Sequence, residues 1–151
     1  MSQTTLCFDF GNTRLKCGVL KGGELQEVVV LENDSTQTIQ GLIEKYKPAK
    51  SILSSVIHHN TEMETLLASA SRFHKLDHHS RIPVTTPVGK PQDIGADRLA
   101  LVVAAVHLFP GKNNLVVGLG SAITYNFINK YKEFVGGGIS PGMEMRYKSL
   151  Q

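Results

Sequence analysis

The chain has 151 residues, 41% of them hydrophobic, with 16 Lys and Arg against 13 Asp and Glu and a formal net charge of +3. This length and composition suit one globular domain, or one complete domain followed by part of another. The charge is too small and too scattered for a nucleic-acid-binding stripe, so acidic small molecules remain as partners. The longest strongly apolar run, Leu99 to Phe109, is broken by His107 and falls short of the roughly 20 residues of a membrane-spanning helix. The opening MSQTTLCFDF lacks the basic segment, apolar core and cleavage site of a signal peptide, so the cytoplasm is the expected compartment. Cys7 and Cys17 are then expected to be free, buried thiols.

In chain order, Thr4–Asp9 and Leu15–Leu20 are short β-prone runs separated by FGNTR, which predicts a hairpin. The KGGE turn leads into a third strand, Leu25–Leu31, antiparallel to the second. Asp34 or Ser35 caps a helix with Ile39, Leu42, Ile43 and Tyr46 at helical spacing, ended by Pro48. Ser51–Val56 reads as a buried strand, Asn60 or Thr61 caps a second helix carrying Met63, Leu66, Leu67 and Ala70, and Phe73–Leu76 is a short fifth strand. A proline-rich polar loop from His78 to Gln92 precedes the apolar helix DIGADRLALVVAAVHL, ended by Pro110 and Gly111. The order implies a mixed sheet with helices packed on it, closing a first domain at residues 1–111. Residues 112–151 then start again with strands at Leu115–Gly118 and Ala122–Ile128 and a further one at Glu133–Val135. This second unit lacks the helices that would cover its sheet.

Three motifs carry candidate chemistry. In Asp9-Phe-Gly11-Asn12-Thr13-Arg-Leu-Lys16, a carboxylate at a strand end meets a tight turn. Asp9 suits hydrated Mg²⁺, the turn amides with Asn12 and Thr13 suit phosphate oxygens, and Lys16 adds positive charge. A plain hairpin, in which Gly and Asn supply unusual dihedrals, is the other reading of the same residues. The Walker A spacing is absent. The second motif, Gly95-Ala-Asp97-Arg98, opens the long helix. Asp97 serves there either as a first-turn stabiliser or as a general base for a substrate hydroxyl, with Arg98 beside it for an acidic substrate. The third pairs Gly118-Leu-Gly120-Ser121-Ala122 with the glycine-rich run Gly136 to Gly142, where backbone can approach a ligand closely or simply turn. His58, His59, His74, His78 and His79 have no partner pattern of a metal site, and Met143 and Met145 read as packing residues.

The ordered set DFGNTRLK, PQDIGADRLALVVAA, GLGSAITYNFI and GGGISPGMEMRYKSL resembles a type III pantothenate kinase of the acetate and sugar kinase and actin superfamily, along nearly the whole chain. The resemblance implies an α/β protein of two ribonuclease-H-like (actin-like ATPase) halves, each a mixed sheet with helices on both faces, the second one truncated here. It implies that the protein binds ATP and phosphorylates pantothenate, the first step of coenzyme A synthesis, as a homodimer. By motif, Asp9 would face Mg²⁺ and phosphate, with Gly11, Asn12, Thr13 and Lys16 around the phosphates. Gly120, Ser121 and Ala122 would line the nucleotide, with Gly136, Gly137, Pro141 and Gly142 as a glycine turn near it. Gly95, Asp97 and Arg98 would hold pantothenate, with Asp97 as the base.

The chain departs from the family pattern at several positions. The family's Asp-x-Gly-Thr is here Gly118-Leu-Gly120-Ser121, so the carboxylate expected to bind K⁺ or NH₄⁺ is replaced by Gly118. Asn126 stands where Asp is usual. Of the family's Tyr-x-Asn/Thr-Pro contact to pantothenate, Pro91 matches whereas Val88 and Lys90 do not. Family members also continue well beyond the equivalent of Leu150. A noncatalytic or transcription-accessory member of the same fold, or another small-molecule kinase of the superfamily, is the alternative expectation. The uncovered second sheet is expected to be completed by a partner subunit, by further residues, or not at all.

Overall fold

The computed structural model describes residues 2–86 and 91–150, so Val88 and Lys90 lie outside the described residues. Contacts within the chain divide it into two units, between Leu76 and Asp77.

In the first unit, strands β1 (Thr4–Phe10), β2 (Leu15–Lys21) and β3 (Glu24–Leu31) precede helix α1 (Thr36–Tyr46), β4 (Lys50–Ser55), α2 (Glu62–Ala70) and β5 (Arg72–Lys75). They form a five-stranded mixed sheet, ordered β3-β2-β1-β4-β5. The meander β1-β2-β3 is antiparallel, while β4 and β5 run parallel to β1. Gly22 and Gly23, with φ of 64° and 92°, supply the left-handed pair of a two-residue β2–β3 turn. Two antiparallel steps leave β3 parallel to β4, so β3–α1–β4 and β4–α2–β5 are crossovers in the same direction across the sheet. With one handedness, both helices fall on one face. Their shared core accordingly joins Leu6, Phe8, Phe10 and Leu53 of the sheet to Ile39, Leu42, Met63 and Leu67 of the helices. Thus α1 and α2 share one face of this sheet rather than being divided between its two. The strand period of two turns Cys7 and Asp9 the other way.

The predicted caps operate with one refinement. The Ser35 side chain accepts from the Thr38 amide at 3.2 Å, and Lys47 closes α1 in the left-handed region just before Pro48. At α2 the capping oxygen belongs to Asn60, whose Oδ1 accepts from the Glu62 amide at 3.0 Å. The backbone of Asn60 is itself held by Asp34 at 2.6 Å.

The second unit contains a 3₁₀ turn at Pro91–Asp93, helix α3 (Ala96–Leu108), strands β6 (Asn114–Leu119), β7 (Ala122–Ile128) and β8 (Phe134–Pro141), and helix α4 (Met143–Lys148). The strands form an antiparallel sheet in chain order. Helix α3 packs on β6 and β7 and so joins the strands that follow it within this unit. Two further differences from the sequence reading stand out. The expected short strand at Glu133–Val135 is the eight-residue β8, running through the glycines, and the chain ends in the unexpected α4. Gly136 and Gly137 are therefore strand residues, not a turn. Glycine is required at Gly137, where a Cβ would overlap the Tyr125 carbonyl. Met143 and Met145 are exposed rather than packed.

One face of the second sheet buries Thr124, Asn126 and Ile128, whereas Leu115, Val117, Leu119, Tyr125 and Phe127 on the other are exposed, Leu119 by 82%. Among the described residues no helix is long and apolar enough to cross a membrane.

Candidate functional site

The first motif folds as the β1–β2 hairpin. Asp9 pairs with Lys16 across the strands, and its Oδ2 lies 3.9 Å from Lys16 Nζ, with the two side chains 55% and 43% exposed. The turn closes through the Gly11 amide, which donates to the Arg14 carbonyl at 3.2 Å, and Asn12, Thr13 and Arg14 are exposed above it. Neither Gly11 nor Asn12 adopts positive φ. The plain-hairpin reading, in which these residues supply unusual dihedrals, therefore has no backbone requirement behind it. A Cβ on Gly11 would meet only the Arg14 carbonyl oxygen, at an ordinary 3.7 Å. Chemically, the hairpin offers a half-exposed carboxylate, a cation beside it and polar turn groups at the end of a central strand, a donor set that suits a metal-complexed polyphosphate.

Next to this strand end, the loop after β4 is fixed by His59, whose ring stands edge-on to Phe10. His59 Nδ1 lies 2.9 Å from Ser55 Oγ and Nε2 lies 2.7 Å from Glu64 Oε1, which also accepts from Lys75 Nζ at 2.7 Å. Burial alone would raise the Glu64 carboxyl, but the hydrogen bonds from Lys75 and His59 outweigh it and hold it below the ordinary range. The role of His59 is thus to tie a loop to α2. Burial pushes the Cys17 thiol up to about 12, with the nearby Cys7 adding to the shift, and Cys7 itself is raised by burial. Both are free thiols, Cys17 buried and Cys7 half-buried.

In the second unit, Gly95 precedes α3 with an extended backbone, and its carbonyl accepts the amides of Arg98 and Leu99. Asp97 is half-buried in the first turn of α3. Arg98 is anchored to the sheet. Its Nε donates to Asn126 Oδ1 at 2.6 Å, its Nη2 to the Tyr125 carbonyl at 3.3 Å, and the guanidinium lies 5.6 Å from the Phe134 ring centre. Asn126 is completely buried, and its Nδ2 donates to the Val116 carbonyl and to Thr124 Oγ1, each at 3.3 Å. An aspartate could not make those two donations, which gives this departure from the family pattern a physical reason. Gly118 faces the same network: a Cβ there would stand 2.6 Å from Thr124 Oγ1. Sequence reasoning noted Asn126 only as a substitution and missed its pairing with Arg98, because 28 residues separate them.

The turn between β6 and β7 brings Gly120, Ser121 and Ala122 against the end of β8. The Gly120 amide donates to the Ala122 carbonyl at 3.1 Å and the Gly142 amide to the Ser121 carbonyl at 2.9 Å. A Cβ on Gly142 would overlap the Gly120 carbonyl, so the two glycine motifs meet in space through backbone. A cleft of about 270 Å³ beside α3, lined by Ser80, Arg81, Val84, Thr86 and Leu99, escaped the sequence reading.

A model of the type III pantothenate kinase family matches residues 5–151. The chain belongs to this family. Type III pantothenate kinases of Christiangramia forsetii and Cytophaga hutchinsonii are 40% and 38% identical to it over 148 and 147 residues, and one from Bacteroides fragilis is 38% identical over 149. Each match covers 96% of this chain, which spans about 60% of the length of those pantothenate kinases. Among solved structures, the type II variant of the Ppx/GppA phosphatase of Aquifex aeolicus is 14% identical with a TM-score of 0.49, over 97% of this chain and 55% of that one. It says nothing about the site of a pantothenate kinase.

Proposed function

We propose that this chain supplies the phosphate-binding hairpin and the catalytic carboxylate of an ATP-dependent pantothenate kinase. The observation that carries the reading is the Asp9–Lys16 pair at 3.9 Å beneath a turn whose glycine no backbone dihedral requires. Family membership supports ATP and pantothenate as the substrates.

In this reading the hydroxyl oxygen of pantothenate attacks the γ-phosphorus. The new O–P bond forms as the bond from the γ-phosphorus to the bridging oxygen breaks, giving 4′-phosphopantothenate and ADP, and the hydroxyl proton passes to Asp97. Positioning and charge neutralisation dominate such a reaction, so a carboxylate that orients the hydroxyl and takes its proton late is sufficient. Lys16 and the turn amides, with Gly11, Asn12 and Thr13, hold the phosphates. Gly120, Ser121 and Ala122 present backbone to the nucleotide. Arg98, held flat by Asn126 and Tyr125, keeps its remaining guanidinium N–H groups for the pantothenate carboxylate, and Gly95 shapes the entry to the helix beneath it. A magnesium ion bound with the nucleotide supplies charge neutralisation of the phosphates, and Asp9 is the residue that would hold its hydrated sphere. A half-exposed carboxylate fits an ion that takes its other ligands from water and phosphate.

The residues present do not fit a monovalent cation at Gly118. A side chain there would collide with Thr124 Oγ1, and the nearby Asn126 turns its amide donors inward. Turnover should therefore be independent of K⁺ and NH₄⁺. The same loss of two carboxylates favours the second reading, a noncatalytic member that binds ligands without transferring phosphate.

A coupled ADP-release assay with pantothenate, Mg²⁺ and ATP separates the two readings. Asp97→Asn should lower turnover by about 10²–10⁴-fold with circular dichroism unchanged. Unchanged turnover in that variant removes Asp97 as the base, and a parent protein that binds both ligands without turnover supports the noncatalytic reading. A homodimer belongs to the proposal, and light scattering that finds only monomer at high concentration would remove it.

A further inference from the structure

Among the described residues, one buried side-chain polar atom has no hydrogen-bond partner: Ser54 Oγ. The residue is 9% exposed. Other hydroxyls on or next to the same strand are engaged, Ser51 with Ser71 at 2.6 Å and Ser55 with His59 at 2.9 Å. Buried hydroxyls are as a rule paired, so one left over at a defined place in a sheet calls for a physical reason.

Its place is informative. In the parallel β1–β4 ladder Ser54 is the register partner of Asp9, and in the antiparallel β1–β2 ladder Asp9 is the partner of Lys16. Register partners point to the same side of a sheet, so Lys16, Asp9 and Ser54 form one row across three adjacent strands. The next row along, Leu15, Phe10 and Ser55, faces the other way, where Phe10 joins the helix-covered core. A cation, a carboxylate and a hydroxyl thus stand side by side on the face that α1 and α2 leave alone.

We propose that Ser54 is a third phosphate-site residue, its hydroxyl donating to an oxygen of the nucleotide's terminal phosphates beside Asp9. The inference rests on the nucleotide reading given above and extends it to a strand that the motif does not include. A hydroxyl inside a sheet row has one rotatable bond and little conformational freedom to lose, which makes it a rigid donor, unlike the flexible Lys16 two strands away. It also accounts for a serine where an apolar side chain would otherwise serve a buried position.

The test is calorimetric titration of the whole chain with ADP and, separately, with adenosine, on the parent protein, Ser54→Ala and Ser54→Thr. The expected result is an ADP affinity about 10-fold weaker or more in Ser54→Ala, unchanged adenosine binding, and a melting midpoint equal to or above that of the parent, since the alanine buries no polar atom. Ser54→Thr, which keeps the hydroxyl, should retain the ADP affinity. Equal ADP affinity in the parent and Ser54→Ala overturns the inference while leaving the nucleotide reading intact. Equal losses for ADP and adenosine, or for the Thr and Ala variants, mark a packing effect and overturn it too. A parent protein that binds neither ADP nor adenosine overturns both readings together.

Discussion

Replacing Asn126 by leucine, which has the same branching but bulkier tips, removes a side chain that makes three hydrogen bonds from a fully buried position. The two neutral bonds, at 3.3 Å each, are long and together contribute about 1 kcal/mol, whereas the charge-assisted bond from Arg98 at 2.6 Å contributes about 1.5–3 kcal/mol. The buried leucine returns roughly 1 kcal/mol of transfer free energy, so the net loss is about 1.5–3 kcal/mol. For a cooperative unit of this size that lowers the melting midpoint by about 6–24 °C. The chain has no tryptophan, so tyrosine emission together with far-ultraviolet circular dichroism follows urea unfolding, with Tyr125 reporting from the affected strand. A cycle with Arg98→Met isolates the pair, and its coupling should be about 1.5–3 kcal/mol. A loss below 0.5 kcal/mol, or strictly additive single variants, would refute the claim that Asn126 holds Arg98 to the second sheet.

Three other outcomes are expected. Gly137→Ala should lose about 3 kcal/mol or fail to accumulate in soluble form, because its Cβ overlaps the Tyr125 carbonyl; faster proteolysis of the β7–β8 region reads it out, and a parent-like stability would sink the argument. Gly11→Ala should stay within about 0.5 kcal/mol of the parent in stability, its Cβ making only an ordinary contact, yet weaken ADP binding about 10-fold by standing where phosphate approaches the turn. Glu64 has a depressed carboxyl pKa, so its contribution is present above the unfolded value of about 4.3 and is lost as the pH falls through the folded one. Glu64→Gln should therefore be less stable than the parent in urea at pH 7, with the gap closing in acid, whereas a gap constant from pH 7 to pH 3 contradicts the assignment.

Much of the first unit was legible in the chain. Apolar alternation in Leu6, Phe8 and Phe10, helical spacing in Ile39 and Leu42, and the cap at Ser35 are local signals, and each element formed where its period indicated. The family, too, could be read from the order of its motifs. Local signals failed where pairing partners decide conformation. The glycines at 136–138 look like a turn in isolation, yet β7 draws them into a strand, because close backbone approach at Gly137 tolerates no side chain. Helix α3 carries a nearly continuous apolar surface that says nothing about which sheet it covers, and tertiary packing placed it on β6 and β7.

The candidate site divides the same way. Sequence alone determined that Asp9, Gly11, Asn12, Thr13 and Lys16 would share one hairpin, since a tight turn brings near neighbours together whatever the rest of the chain does. Only the tertiary structure could set Ser54 beside Asp9 and Asn126 against Arg98. Those pairings join residues 45 and 28 positions apart, through strand register in one case and helix packing in the other. Neither leaves a periodic trace in the residues themselves, because the energy that fixes them comes from burying whole faces rather than from any local preference.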